Sequence, residues 1–163
     1  MQPSSPGVPV PSESPDLLSL TKAYRIAYSI GLALCLAWPL ALQLMLGTAI
    51  HPGSLAPPGL AQQLGYSFTG LTVLAALGVT WRWGRVRAAF RRTPAEQRPA
   101  IVTRETLMYA ALFELSSVYG ILTYALGGPL AERYARSFIA LTSIMFFVFV
   151  PRLDAWRDAA QGE

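Results

Sequence analysis

The chain has 163 residues, of which 53% are hydrophobic and only 13% are charged, and its formal net charge is +4. Soluble domains carry about a quarter charged residues, and the mean hydropathy of +0.38 is also high for that class. The composition therefore excludes an ordinary soluble domain and indicates an integral membrane protein. Because the basic residues flank apolar stretches with few aromatic residues between them, we expect no nucleic-acid partner.

The chain begins with a segment rich in proline and serine, residues 1–20. Such a composition cannot support a core, so we expect a disordered tail. Helix can begin just after Pro15, with Asp16 as a candidate cap. We expect the membrane domain to extend over residues 21–158 and a short tail to occupy residues 159–163.

Four apolar stretches then follow, each close to the length of about 20 residues that a membrane-spanning helix needs. The fourth reaches that length only by including Arg133 and Arg136, whose long side chains can extend to the outer interface. Short connections join the four stretches. The sequence therefore predicts an all-α integral membrane fold, a four-transmembrane-helix bundle with spans at residues 24–46, 61–83, 104–126 and 133–151.

The charges in the connections predict the orientation of the bundle. The first connection, residues 47–60, has no Lys, Arg, Asp or Glu, whereas the second is rich in arginine. By the positive-inside rule the second connection is cytoplasmic, and with four spans both termini are cytoplasmic too. Arg133 and Arg136 oppose this orientation but are outnumbered. We expect a multi-pass protein of a bacterial inner membrane, with inner-border aromatic residues at Trp81, Trp83 and Trp156.

Residues 82–104 are predicted to form a cytoplasmic helical hairpin. The second spanning helix can continue to Arg92, and residues 93–96 have the spacing of a capping box, with Pro94 at the first helical position. One interpretation is that the arginines of this hairpin contact anionic lipid or a partner protein, and the other is that they only set the orientation. The candidate contact residues are Arg85, Arg87, Arg91 and Arg92.

Metal and disulfide chemistry have little support. The chain has one cysteine, Cys35, and one histidine, His51, so it cannot form a disulfide within itself or build a cysteine–histidine metal cluster. We therefore expect no metal site and no cofactor.

Glu114 is the most informative residue because it lies inside the third apolar stretch. An acidic or basic side chain at the bilayer centre costs about 2.5–3.5 kcal/mol, and such residues usually face the bundle interior and mark a functional site. On a helix, Glu114 shares a face with small residues, which let another helix pack closely. These neighbours are Ala110, Ala111, Ser117 and Val118.

The other polar residues at this depth define a candidate intramembrane polar site. Counted from the inner border, the depth of Glu114 matches Leu34 and Cys35 on the first span, Thr72 on the second, and Thr142 and Ser143 on the fourth. None of these is a cation, so desolvation favours the neutral, protonated acid. The predicted polar site consists of Glu114, Thr72, Thr142, Ser143, Ser117 and Tyr119.

The segment from Phe113 to Leu122 resembles the ion-carrying helix of the rotor-ring proteolipids, subunits c and K, of rotary ATPases. In that family a membrane glutamate is followed five and six residues later by Tyr-Gly, which here are Tyr119 and Gly120. The resemblance implies that Glu114 carries a proton or a sodium ion. It is confined to this segment.

The sequence contains no evident nucleophile–base pair, zinc-protease motif, phosphate-binding loop or paired catalytic carboxylates. Our leading hypothesis is a small, non-catalytic inner-membrane protein that acts as an accessory, assembly or structural component of a membrane complex. Its expected partners are the lipid bilayer and either copies of itself or other membrane subunits. The alternatives are a proton- or ion-translocating protein that uses Glu114, and a membrane-embedded enzyme of lipid or quinone chemistry.

Overall fold

The structure, a computed structural model, describes residues 15–46, 48, 57, 59–127 and 131–161. His51 and residues 1–14 of the expected tail lie outside these residues. The described secondary structure is helical throughout. The helices are α1 (Pro15–Leu32), a π-helical turn (Ala33–Ala37), α2 (Trp38–Met45), α3 (Leu60–Arg92), α4 (Arg98–Gly127), α5 (Glu132–Phe149) and α6 (Leu153–Gln161).

Four helical segments are long and apolar enough to cross a membrane, which confirms the predicted all-α fold with four candidate spans. They are Pro15–Met45, Gln62–Arg92, Ala95–Gly127 and Glu132–Gln161. Each is longer than the bilayer alone requires. The orientation of the bundle stays a prediction from the charges of its connections.

Helix α4 is central, since it packs against α5, α1 and α3. Two glycines mark the places where helices approach most closely. A Cβ at Gly120 would lie only 2.7 Å from the carbonyl oxygen of Ala135 on α5. A Cβ at Gly31 on α1 would lie 2.7 Å from the ring of Phe146. Small residues thus allow the close helix packing that stabilises membrane bundles.

The end of the bundle that carries the α3–α4 connection also contains α6, which the sequence did not predict. Pro151 follows the last residues of α5, and because proline lacks a backbone N–H it cannot continue the helix. Helix then resumes as α6, which packs against α3 and α1 and buries Trp156 completely, with ring centroids 4.7 Å from Trp83 and 5.0 Å from Phe90. The indole of Trp156 thus belongs to a core cluster, and its expected position at the membrane border stays a prediction.

The same cluster explains why α1 starts early. Leu20 is buried in it, together with Tyr24 and Val102. Residues 15–20, which we expected in the disordered tail, are consequently helical. At the other end of the chain, Ala159 is buried, and α6 continues to Gln161.

The connection between α3 and α4 is a tight turn. The expected capping box is wrong: the hydroxyl of Thr93 donates to the carbonyl of Ala89 at 3.0 Å, back into α3. A 3₁₀ turn, Ala95–Gln97, precedes α4, without a side-chain cap. Thr93 thus ends one helix instead of starting the next.

Candidate intramembrane polar site

The polar site is built around an irregular turn in the first spanning helix. In a regular α-helix, the backbone N–H of residue 39 would bond to the carbonyl of residue 35, but Pro39 has no N–H. Directly before it, residues Ala33–Ala37 form a π-helical turn, closed by the Trp38 N–H on the carbonyl of Ala33. Such turns are frequent at functional sites, and here the break exposes a backbone carbonyl at mid-helix.

Ser143 of α5 satisfies that carbonyl. Its hydroxyl donates to the Cys35 carbonyl oxygen at 2.6 Å. The Cys35 thiol, which is fully buried, donates in turn to the carbonyl of Ala110 on α4 at 3.3 Å. The π-helical turn is therefore tied to both neighbouring helices, which explains how a proline is tolerated within a spanning segment.

A second set of hydrogen bonds joins α4 to α5. The hydroxyls of Ser117 and Thr142, both fully buried, lie 2.9 Å apart, and Thr142 also donates to the Phe113 carbonyl at 3.3 Å. Ser116, which is next to Ser117 in α4, donates to the carbonyl of Phe138 on α5 at 2.9 Å. These polar side chains bond across the interface between α4 and α5.

Glu114 lies at the edge of this network. Its side chain is partly buried, and its Oε2 atom is buried without a hydrogen-bond partner among the described residues. The hydroxyl of Ser117 is within hydrogen-bonding reach, and Cys35 lies close by across the α1–α4 contact. None of the ion pairs within the described ranges includes Glu114.

The hydroxyl of Ser117 has one proton, which it can donate either to Thr142 or to Glu114. Toward a carboxylate Ser117 would be the donor, and toward a protonated carboxyl it can also accept. The protonated state of Glu114 therefore stays a prediction from sequence.

Thr72 and Tyr119 are placed elsewhere. The Thr72 hydroxyl donates to the carbonyl of Phe68 on its own helix at 2.8 Å, and Tyr119 stacks on the Phe68 ring at a centroid distance of 4.5 Å. Both line a groove between α3 and α4 that also includes Ser116. Ser116 is about 200° around the helix from Glu114, so these residues occupy the opposite side of α4. Of the predicted site residues, the structure gathers Glu114, Ser117, Thr142 and Ser143.

A charged cluster that sequence reasoning missed lies near the connection between α3 and α4. Glu105 is only 2% exposed, and both of its oxygens accept hydrogen bonds from Arg82 at 2.8 Å. Arg104 approaches the same carboxylate at 3.4 Å. A signal was present, because Glu105 lies three and four residues from Val102 and Tyr109, which are both buried.

The four arginines predicted to contact lipid or a partner differ in their surroundings. The Arg85 guanidinium lies over the Trp81 ring, 3.7 Å from its centroid, in a cation–π contact. Arg91 and Arg92 are exposed, and Arg87 is half-buried. Only Arg85 borders a cavity that also contains Arg82 and Arg104.

Within the part of the chain that the structure describes, no three acidic, cysteine or histidine side chains come together to hold a metal ion. No protein-family model, curated protein or solved structure matches this chain. The likeness of the Glu114 segment to rotor-ring proteolipids therefore stays a prediction from sequence.

Proposed function

We propose that the protein is a non-catalytic component of a bacterial inner membrane, an accessory, assembly or structural subunit that works by association with other membrane subunits or with copies of itself. The proposal rests on the hydrogen bonds that the polar side chains inside the bundle make between helices. Ser116, Thr142, Ser143 and Cys35 each donate to a backbone carbonyl of a neighbouring helix. They hold three helices in one arrangement.

These interhelical hydrogen bonds differ from the arrangement of polar groups that transport or catalysis needs. In a bilayer, interhelical hydrogen bonds and close packing of small residues hold helices together. A pathway for substrate or ions needs polar groups that line a cavity and exchange partners. Here the hydroxyls are committed to backbone carbonyls, and the groove that Thr72 and Tyr119 share lies on the opposite side of α4 from Glu114.

Helix α3 is the surface that we assign to association. It is the least buried of the four candidate spans. Large apolar side chains project from it along its length, with Leu74 64% and Leu77 62% exposed. Lipid or another subunit can cover this face. A subunit that docks there through apolar side chains would place no additional polar groups in the bilayer.

Cysteine cross-linking tests the association. In a Cys35→Ser background, Leu74→Cys places a thiol on the exposed face of α3, and Val148→Cys places a matched thiol on the exposed face of α5. We expect oxidation of native membranes to link Leu74→Cys to a second copy or to another membrane protein, with little linking from Val148→Cys. A protein that stays monomeric and without a partner in mild detergent, and that links from neither position, would contradict the proposal.

Proton or ion translocation through Glu114 is the second candidate. The observation that favours it is the buried Oε2 atom, which has no partner among the described residues. Proton flux into liposomes distinguishes the two functions. If Glu114 carries charge, Glu114→Gln abolishes the flux. The control, Glu132→Gln, removes a carboxylate that pairs with Arg136 at the far end of the bundle and should leave the flux unchanged.

A structural Glu114 gives a different result. The amide of Gln can donate to Ser117 as a protonated carboxyl does, so Glu114→Gln should keep both the fold and the oligomeric state. Wild-type liposomes without flux, together with a stable Glu114→Gln variant, would support the accessory function. Flux that depends on the carboxyl would instead establish translocation.

The proposed orientation places both termini in the cytoplasm. The arginines between α3 and α4 support it through the positive-inside rule. Reporter fusions test it directly: we expect green fluorescent protein to fluoresce at either terminus, and alkaline phosphatase to be active only when fused in the connection after α2 or in the connection after α4. Active phosphatase at the C-terminus would overturn the orientation.

A further inference from the structure

An open cavity of about 490 Å³ lies between α3 and α4 at the inner end of the bundle. Three arginines border it, Arg82, Arg85 and Arg104, and one carboxylate, Glu105. Apolar side chains form the rest of its wall, among them Trp81, Val86 and Ile101. The cavity thus joins a basic rim to an apolar surface.

The charges of the cavity are not balanced. Glu105 is buried and takes both of its short hydrogen bonds from Arg82, so this pair is close to neutral. Arg85 and Arg104 remain, which leaves the cavity with an excess of positive charge. An anion that enters would contact two guanidinium groups and a carboxylate whose oxygens already accept hydrogen bonds from Arg82.

Both of these arginines are held near the opening. The Arg85 guanidinium lies over the Trp81 ring, 3.7 Å from its centroid, which restricts the conformations of Arg85 before a ligand binds. Arg85 therefore loses less conformational entropy on binding. Arg104 touches Glu105 at 3.4 Å but keeps 76% of its side chain exposed, so it is free to turn toward a ligand. Guanidinium groups bind phosphate oxygens in bidentate fashion.

The position of the cavity selects a lipid over a soluble phosphate. Trp81 and Glu105 stand where the apolar stretches of α3 and α4 meet the basic connection. A phospholipid presents an anionic headgroup next to apolar chains, which matches the basic rim and the apolar wall. Basic pockets between spanning helices are the usual sites for anionic headgroups.

We propose that this cavity binds the phosphate headgroup of an anionic phospholipid, with Arg85 and Arg104 as its ligands and with the Arg82–Glu105 pair holding α3 and α4 apart at the required spacing. The site is independent of the proposed association through α3, because it lies at the inner end of the helices.

Native mass spectrometry of the full-length protein, titrated with phosphatidylglycerol, tests the site. We expect the double variant Arg85→Ala/Arg104→Ala to lose about tenfold or more in affinity, because it removes both guanidinium groups that hydrogen-bond the phosphate oxygens. The matched control Arg25→Ala/Arg92→Ala removes two exposed arginines outside the cavity and should change binding little. An equal loss in both variants would show nonspecific attraction and overturn the proposal.

Two further arms complete the test. Phosphatidylcholine and inorganic phosphate should bind the wild-type protein far more weakly than phosphatidylglycerol, and inorganic phosphate that binds as tightly as the lipid would overturn the assignment to lipid. If the alanine variant fails to fold, Arg85→Lys/Arg104→Lys decides, because it keeps the charge and removes the bidentate geometry. Weaker binding of phosphatidylglycerol by the lysine variant supports the site, and wild-type affinity overturns it.

Discussion

The hydroxyl of Ser143 on α5 donates a 2.6 Å hydrogen bond to the backbone carbonyl of Cys35, in the π-helical turn that precedes Pro39. The proline removes the N–H that would otherwise reach this carbonyl, and the serine replaces it from another helix. A defect in one helix and a side chain in another thus form one structural unit. The contribution of this hydrogen bond to the stability of the bundle can be measured.

Replacing Ser143 by alanine should destabilise the bundle by about 1–2 kcal/mol, because a buried carbonyl loses its partner in the bilayer. The free energy of unfolding in mixed micelles measures this. Ser137→Ala is the control, since Ser137 lies on the same helix but bonds only to its own backbone at Arg133. We expect the control to change stability by less than about 0.5 kcal/mol.

The link to proline is tested separately. In a Pro39→Ala background the helix regains its N–H, so Ser143→Ala should cost less there than in the wild-type protein. Equal losses in both backgrounds would show that the serine does not compensate for the proline.

This unit marks the limit of what the sequence predicts. The four spans were predictable because a helix in lipid needs a continuous apolar run, and the run is local information. The partner of Ser143 was not, because it lies 108 residues away and the sequence around Cys35 carries no sign of a π-helical turn apart from Pro39. In the structure Thr142 bonds to Ser117 and Ser143 bonds to Cys35, and both partners lie close to Glu114. Thr72 lies in the groove on the opposite side of α4, because depth does not determine which face of α4 meets α3.

The burial of Glu105 is hard to predict for a similar reason, since a charged residue next to a basic connection is usually solvated. Its burial depends on Arg82, 23 residues earlier, and on the packing of α3 against α4. Trp156 likewise gave no sign of burial, because a border tryptophan and a core tryptophan look alike in a short apolar segment.

Arg82→Ala should be strongly destabilising because it leaves the buried Glu105 carboxylate with only the longer, 3.4 Å contact to Arg104 among its ion pairs in the described residues. We expect a loss of about 2 kcal/mol, below that of a fully buried pair since Arg82 keeps 40% of its side chain exposed. Chemical denaturation in micelles measures the loss, with Arg92→Ala as the control for removing an exposed arginine. Adding Glu105→Gln to Arg82→Ala should recover part of the stability, and no recovery would indicate that Arg82 acts through packing alone.

The loss of stability when a helix glycine is replaced by alanine should depend on what surrounds that glycine. Gly120→Ala should cost about 1–3 kcal/mol, because the new Cβ would lie 2.7 Å from the backbone oxygen of Ala135, which cannot move alone. Gly31→Ala should cost less, since it meets the far edge of the Phe146 ring, which can turn. Gly70→Ala has nothing within 4 Å and should be neutral or stabilising by up to about 1 kcal/mol through helix propensity.

Thermal unfolding of the three alanine variants in the same detergent gives this ranking. A Gly70→Ala variant as unstable as Gly120→Ala would mean that the exposed face of α3 is covered by another subunit in the purified protein. That result would connect the ranking to the association proposed for α3.

Trp156→Ala should release α6 from the bundle. The indole is fully buried against Trp83 and Phe90, and removing an aromatic side chain of this size from a core costs about 3–5 kcal/mol. A helix of nine residues cannot persist without such contacts. Hydrogen exchange at residues 153–161 should therefore become fast, while α4 and α5 stay protected. Trp38→Ala is the control, because Trp38 is 52% exposed and contributes little packing, so exchange in α6 should not change. Slow exchange in α6 of Trp156→Ala would contradict its role as the anchor, and would assign that role to Arg98 and Arg157, which bond to the Ala160 carbonyl and to Thr21.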